Sequence, residues 1–264
     1  MTSKTVPSGS MAHRLSVMGL LVTLGIVYGD IGTSPLYVMR AIIGATPVIT
    51  TDYIIGAVSC IIWTLTIQTT LKYVVLALRA DNKGEGGILA LYALVRKHGR
   101  GWLYLLAIIG ASTLVADGVI TPSITVLSAI EGLRAYEPST PVIPIAIAIL
   151  TVLFFIQQYG TSAIGKLFGP LMLLWFSMLG ILGLTHVGDS WMILKAFNPW
   201  YAIRLLTTSP EWFLILGAVF LCTTGAEALY SDLGHCGKQN IRVSWAFVKT
   251  MLICNYLGQG AWII

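Results

Sequence analysis

The chain has 264 residues, of which 56% are hydrophobic and only 10% are charged, and its mean hydropathy is +0.82. This composition excludes an ordinary soluble domain, which carries about a quarter charged residues to cover its surface. The formal net charge is +5, but the basic residues are spread thinly between apolar runs. This distribution argues against nucleic-acid binding and is typical of membrane topology signals. We therefore predict an all-α, polytopic membrane protein.

Seven apolar segments follow one another along the chain, each close to or above the ~20 residues that a helix needs to cross a bilayer. They cover residues 15–43, 52–79, 101–131, 141–159, 167–188, 211–232 and 242–264. Short links with turn residues join them, so we predict one transmembrane domain, 15–264, after an N-terminal tail, 1–14. The last segment is still apolar at Ile264, and we therefore expect the chain to be the N-terminal fragment of a longer protein.

Lysine and arginine are distributed unequally between alternate links. With the N-terminus inside, the outer segments hold four basic residues, namely Arg40, Arg134, Lys195 and Arg204. The inner segments then hold ten, namely Lys4, Arg14, Arg79, Lys83, Arg96, Lys97, Arg100, Lys166, Lys238 and Arg242. The positive-inside rule thus predicts a cytoplasmic N-terminus and a cytoplasmic link at 79–100.

Cysteine and histidine show no pattern of a metal site or an enzyme. The four cysteines lie far apart, form no Cys-x-x-Cys pair, and three of them lie in apolar runs. We predict no disulfide framework. The four histidines lie near segment ends without a nucleophile and base pattern. We therefore predict that the protein is not an enzyme and has no cofactor.

Three acidic residues lie inside predicted spans: Asp30 in the first, Asp117 in the third and Glu227 in the sixth. A charge at mid-bilayer costs at least ~2.5 kcal/mol, so such residues are functional by default. Glycine lies close to each acid along with hydroxyl side chains, and Pro35 and Pro122 follow the first two. Glycine and proline free backbone carbonyls, which a bilayer tolerates only inside protein or around a cavity. We predict broken helices in spans 1 and 6 and an oxygen-rich site suited to a hard cation.

The spacing in span 3 adds two hydroxyls to this site. Asp117, Thr121 and Thr125 are four residues apart and share one helix face. An alternative is that the threonines donate hydrogen bonds to carbonyls of their own helix. For Thr125 this alternative has the same weight as a role in the site, and for Thr121, which is next to a proline, it has less.

Five stretches resemble the KUP/HAK/KT family of potassium uptake transporters, and together they cover nearly the whole chain. They are VYGDIGTSPLY (27–37), RADNKGEGGI (79–88), VITPSITVLSAIEGL (119–133), GTSAIGKLFGP (160–170) and GAEALYSDLGHCGKQNIR (225–242). The resemblance implies the inverted-repeat fold of the amino acid-polyamine-cation superfamily. The first repeat would cover about 15–188 and the second would begin at about 211–264, truncated after about seven spans.

The resemblance also implies a function, namely potassium import across the plasma membrane coupled to proton symport. By motif position, it implies that the cation binds to Asp30, Tyr37, Asp117, Thr121, Thr125, Thr224 and Glu227. The proton-coupling candidates are Asp30, Asp117 and Glu227. Many bacterial members have Glu at the position of Asp117, which keeps the charge. The expected partners are the potassium ion and membrane lipid, and a homodimer is left open. On this hypothesis an outward-open cavity reaches the break in span 1.

Two other classes of function are weighed against this one. An amino acid or polyamine transporter of the same fold would need no acids on three spans, and three acids argue against an anionic substrate. A potassium channel would need a filter such as a TVGYG run, and the sequence contains none.

Overall fold

The computed structural model describes residues 15–46, 49–98, 101–157 and 162–264, and the predicted tail, 1–14, lies outside them. The α-helices in these ranges are α1 (Val17–Val27), α2 (Gly29–Thr33), α3 (Val38–Gly44), α4 (Thr51–Thr64), α5 (Ile88–Val95), α6 (Trp102–Glu131), α7 (Val142–Gln157), α8 (Ser162–Val187), α9 (Pro199–Thr208), α10 (Trp212–Phe220), α11 (Ala228–Ser231), α12 (Leu233–Cys236) and α13 (Lys238–Ile263). Short 3-10 helices and one π-helix, Leu65–Leu76, connect or extend them. The prediction of an all-α membrane protein is confirmed.

Most of the predicted spans are present as long apolar helices. In the described part of the chain, four helices are long and apolar enough to cross a membrane: Thr51–Arg79, Trp102–Ala135, Phe168–Val187 and Trp212–Ser231. A fifth results if α1 and Gly29–Leu36, which meet at a bend of 70°, are counted as one span. These five agree with the predicted segments 1, 2, 3, 5 and 6.

The fourth and seventh predicted segments differ from that pattern. The apolar part of α7, Val142–Phe155, is shorter than a full span, and the predicted segment runs on into residues outside the described ranges. Helix α13 has 26 residues, and at 1.5 Å per residue it is long enough to cross a bilayer. It is less apolar than the others because it carries polar side chains such as Lys249, Asn255 and Gln259.

Helices α5 and α9, and the short α12, lie where the sequence predicts only links. Helix α5 follows the glycine-rich link after span 2, and α9 follows Asn198, whose side chain accepts a hydrogen bond from Trp200 N. An Asn cap followed by Pro199 is a typical helix start. Helix α9 packs on α4, where Ser59 Oγ donates a 3.0 Å hydrogen bond to the Asn198 carbonyl.

The buried core joins spans 1, 2, 5, 6 and 7, whereas α6 and α7 pack at its edge around a small separate cluster. Helices α8 and α13 approach closely because glycines face each other. A Cβ on Gly183 would lie 2.2 Å from the Cys254 carbonyl oxygen, and one on Gly258 would lie 2.2 Å from the Gly183 carbonyl oxygen. Small residues allow such contact between membrane helices. Helices α8 and α13 thus form a closely packed pair, and both pack against α1 of span 1.

The link after span 2 packs against the end of span 6. A Cβ on Gly86 would lie 1.9 Å from the Tyr230 carbonyl oxygen, so only glycine fits there. Tyr230 OH donates a hydrogen bond to the Ala80 carbonyl, and Lys238 Nζ donates one to Asp81. The link therefore connects the predicted cytoplasmic ends of spans 2, 6 and 7.

The ion pair in this link makes stability depend on pH. The Lys238 hydrogen bond and the Gly84 N–H hold the pKa of Asp81 below its ordinary value. The contribution of a carboxyl with a lowered folded-state pKa is fully present above its unfolded pKa, about 3.9, and is lost as pH falls through the folded value. We expect Asp81→Asn to lower the unfolding free energy by less than about 1 kcal/mol at neutral pH, because the pair is partly exposed.

Thermal unfolding of purified protein between pH 7 and pH 3 would measure this effect. The melting temperatures of the parent and Asp81→Asn should differ at pH 7 and converge as the pH is lowered. A difference that stays constant across the range would show that the charge of Asp81 is not responsible.

Candidate functional site

Span 1 is interrupted around Asp30. Helix α1 ends at Val27, and Asp30 lies in the first turn of α2; a 3-10 turn, Ser34–Leu36, then leads to α3. Pro35 has no N–H and cannot continue the helical hydrogen bonding. The fully buried Tyr28 fixes the bend, since its hydroxyl lies 2.9 Å from the Ile241 carbonyl oxygen and 3.0 Å from Ser244 Oγ on α13. The predicted break in span 1 is confirmed.

Span 6, counted above as one apolar helix of 20 residues, also has an interruption in its backbone. Helix α10 ends at Phe220, a 3-10 turn covers Leu221–Thr223, and Thr224 is extended with a ψ of 131°. Gly225 follows with a φ of +81°, a conformation that favours glycine. Glu227 directly precedes α11. The predicted break in span 6 is confirmed as well.

The two breaks touch each other at Asp30 and Gly225. A Cβ built on Gly225 would lie 2.6 Å from the Asp30 Cβ and 3.1 Å from Ile31 N. Ser34 Oγ donates a 3.1 Å hydrogen bond to the carbonyl of Leu221. The interrupted segments of spans 1 and 6 therefore form one contact region inside the helix bundle.

The predicted face of span 3 points into this region. Thr121 Oγ1 donates a 2.7 Å hydrogen bond to Asp117 Oδ1, so this threonine does not bond back to its own backbone. Thr125 Oγ1 lies 3.2 Å from Thr33 Oγ1 in span 1, and Thr33 Oγ1 also donates to the Asp30 carbonyl at 2.8 Å. The hydroxyls of span 3 thus meet the break in span 1.

A second group of hydroxyls lies on the other side of Ser34. The hydroxyl of Tyr37 is 3.3 Å from Ser34 Oγ, and the side chain of Tyr37 also interacts with that of Thr224. Tyr37 further interacts electrostatically with Asp30 and Asp117. The two residues named only from the family resemblance, Tyr37 and Thr224, therefore lie together beside the acids.

The three acids interact with one another. Asp30 and Asp117 are electrostatic neighbours, and Glu227 interacts with both. Interacting like charges favour a bound cation or proton. In the described residues, no three His, Cys, Asp or Glu side chains are close enough to hold a metal ion on their own. A cation here would need the hydroxyl oxygens in addition to the carboxylates.

A cavity of about 570 Å³ adjoins Asp117 and Glu227. Ala77, Gly87 and Gly225 also line it. Gly87 belongs to the basic link, 79–100, which is predicted to be cytoplasmic. The π-helix provides part of the wall with Gln68, Lys72 and Tyr73. Such helices are rare and are frequently found at functional sites.

Sequence reasoning omits two residues that take part in these contacts. Thr33 and Ser34 belong to the hydroxyls noted beside Asp30, but they are absent from the predicted cation-binding set. Both hydroxyls contact other broken or facing segments. The run Gly-Thr-Ser-Pro at 32–35 is the signal that could have indicated them, since hydroxyls inside a predicted break have no regular helix to bond to.

A helical membrane protein in which two broken spans meet at carboxyl and hydroxyl groups has the features of a secondary transporter. The chain belongs to a family of potassium transporters: a model of the K+ potassium transporter integral membrane domain matches residues 17–264. Membership in a transporter family agrees with the prediction that the chain is not an enzyme.

Several bacterial proteins are similar to the chain, and each is named as a "Probable potassium transport system protein Kup". The protein of Flavobacterium psychrophilum is 59% identical over 251 residues, which cover 95% of this chain and 38% of that protein. The protein of Flavobacterium johnsoniae is 58% identical, covering 97% and 39%, and that of Enterococcus faecalis is 52% identical, covering 96% and 40%. The chain thus spans about two fifths of the length of these relatives. No solved structure shows significant similarity to it.

Proposed function

We propose that the complete protein imports potassium across the plasma membrane by proton symport. The observation that carries this proposal is the meeting of Asp30, Asp117 and Glu227 from three spans beside the hydroxyls of Thr121 and Tyr37. Carboxylate and hydroxyl oxygens can replace the hydration shell of a hard cation. The names of the relatives and of the family identify that cation as potassium.

The cation would bind among the carboxyl and hydroxyl oxygens at the two breaks. The proposed ligands are Asp30, Tyr37, Asp117, Thr121, Thr125, Thr224 and Glu227. Span 3 offers a carboxylate and two hydroxyls from one face, and the breaks in spans 1 and 6 offer the rest. Binding the cation relieves the repulsion between the three acids.

We assign the coupled proton to two of the three acids. Interacting like-charged carboxyl groups favour a bound proton. Asp117 and Glu227 interact electrostatically and both line the cavity, whereas Asp30 is not one of its lining residues. We therefore favour this pair over Asp30 as the carrier of the coupled proton. In the coupled step, a proton taken up from the outer side neutralises this pair while the cation is bound, which allows the loaded site to close and reopen inward.

The direction of transport follows from the orientation and from the membrane potential. With the N-terminus in the cytoplasm, the cavity beside Asp117 and Glu227 faces inward, and the outward-open cavity of the sequence-based hypothesis would be another state of the transport cycle. At the opposite end, Arg40 and Glu131 form an ion pair between spans 1 and 3. Each charge moving inward gains ~2.3 kcal/mol per 100 mV. Potassium and a proton are therefore both drawn into the cell.

The same proposal includes the internal repeat. Residues 15–188 would form the first repeat and residues 211–264 the start of the second, so that the breaks in spans 1 and 6 are equivalent positions. Broken helices at corresponding positions of two repeats are typical of transporter binding sites. Contact with membrane lipid belongs to the same proposal, and a homodimer is left open.

Transport by the purified complete protein in liposomes tests this function. We expect potassium uptake that is accelerated by an inward proton gradient at constant membrane potential, accompanied by acidification of the lumen. Potassium uptake that ignores the proton gradient would contradict the coupling. Uptake of a radiolabelled amino acid or polyamine in place of potassium would favour the alternative, a transporter of the same fold with an organic substrate.

A further inference from the structure

Two side chains, one on α8 and one on α13, donate hydrogen bonds to backbone carbonyls of the span 1 break. Trp175 on α8 donates from Nε1 to the carbonyl of Gly32 at 2.8 Å. Gln259 on α13 donates from Nε2 to the carbonyl of Pro35 at 3.1 Å. Each of these oxygens already accepts one hydrogen bond.

Gln259 is itself held in place by a second amide. Its Nε2 also donates to Asn255 Oδ1 at 2.6 Å, and Asn255 Nδ2 donates to the carbonyl of Leu179 on α8 at 3.0 Å. Asn255 is buried. A chain of hydrogen bonds thus runs from α8 through α13 to Pro35. Both amide protons of Gln259 are used, which fixes the direction of its side chain.

The two contacted carbonyls flank, in sequence, two residues whose hydroxyls take part in the site. Thr33 and Ser34 lie between Gly32 and Pro35 in sequence, and their hydroxyls reach Thr125 and the Leu221 carbonyl. The close glycine contacts keep α8 and α13 together. The break is therefore held by a rigid pair of helices on one side and presents its side chains to spans 3 and 6 on the other.

We propose that Trp175 and Gln259 are positioning residues that set the affinity and size preference of the cation site by fixing the backbone of the span 1 break. This inference rests on the proposed function, since it concerns the same site. Neither residue is needed as a ligand. A site discriminates between cations of different size when its oxygens are held at fixed positions. Removal of a hydrogen bond to the break would leave the ligands in place but allow them to move.

Cation uptake by the complete protein carrying Trp175→Phe or Gln259→Leu tests the proposal. Phenylalanine keeps an aromatic ring but has no N–H, and leucine keeps the approximate length of glutamine but has no amide. We expect the KM for potassium to rise about tenfold, as one lost buried hydrogen bond allows. The maximal rate should stay within about twofold, because the acids that supply the charge are unchanged. The ratio of the affinity for potassium to that for caesium, measured by competition, should fall in both variants.

Two further variants separate positioning from general packing. Thr250→Val is the matched control on α13, because Thr250 is exposed and its hydroxyl bonds only to the Ala246 carbonyl of its own helix. It should keep the parental KM and ion preference. Asn255→Leu acts through Gln259, so adding it to Gln259→Leu should raise the KM no further, whereas independent effects would multiply.

The outcomes distinguish this proposal from the function on which it rests. Parental KM and ion preference in both Trp175→Phe and Gln259→Leu, with normal amounts of protein in the membrane, would overturn the positioning role alone. An equal loss of maximal rate with unchanged KM and preference would also overturn it, since that pattern indicates a folding defect. Absence of potassium uptake in the unaltered protein would overturn the proposed function and the positioning role with it.

Discussion

Replacing Asp117 by asparagine is expected to reduce potassium uptake by the complete protein by roughly 100-fold, the effect of losing a charged ligand in a buried site. Glu227→Gln and Asp30→Asn should reduce it to a similar extent. Each amide has nearly the shape of the acid that it replaces but carries no charge and cannot exchange the coupled proton. The three variants should therefore fold normally and fail to transport.

Growth of a potassium-uptake-deficient bacterium on low potassium measures this effect in cells, and uptake into liposomes measures it directly. Asp117→Glu is the matched conservative variant, because it keeps the charge on a longer side chain, and we expect it to support growth. Asp189→Asn is a control for acid removal elsewhere, since Asp189 is exposed and pairs only with His186. Full growth on low potassium by all three neutral variants would disprove the site assignment.

The sequence predicts those parts of the site whose groups carry a high free-energy cost inside a bilayer. A carboxyl group inside an apolar span is so unfavourable that Asp30, Asp117 and Glu227 are conspicuous without any structure. Glycine and proline beside them predict the interruption of spans 1 and 6 for a similar reason, because unpaired backbone groups are expensive in a bilayer. The structure brings these three acids together.

Features that depend on tertiary contact could not be predicted in the same way. Trp175 and Gln259 lie in helices whose pattern is that of ordinary spans, and their role depends on which carbonyl they reach. The π-helix Leu65–Leu76 has no local sequence signal, although its extra width supplies part of the cavity wall. Helix α9 was missed because its 10 residues are too few for a span. Asn198 and Pro199 do indicate a helix start, but a helix start does not indicate whether the helix crosses the membrane.

The contact between the two breaks leads to a second prediction of large effect, at Gly225. Gly225→Ala would place a Cβ 2.6 Å from the Asp30 Cβ, a distance that real Cβ atoms do not adopt, and would also strain a backbone with a φ of +81°. Because the opposing Asp30 Cβ is fixed by its own backbone and is not the far end of a flexible side chain, spans 1 and 6 would have to separate. We expect potassium uptake to be abolished and the unfolding free energy to fall by about 1–3 kcal/mol.

Two control variants identify the cause of this loss. Gly217→Ala lies in α10 of the same span, and its Cβ would meet nothing within 4 Å, so it should keep full uptake and stabilise the helix slightly. Gly225→Asn tolerates a positive φ better than alanine does, but it brings the same Cβ against Asp30. If the contact with Asp30 is decisive, asparagine should be as harmful as alanine, whereas recovery of uptake with asparagine would attribute the defect to backbone conformation alone. Uptake by Gly225→Ala within about twofold of the parent, the range of an unperturbed site, would show that the two breaks do not depend on close contact.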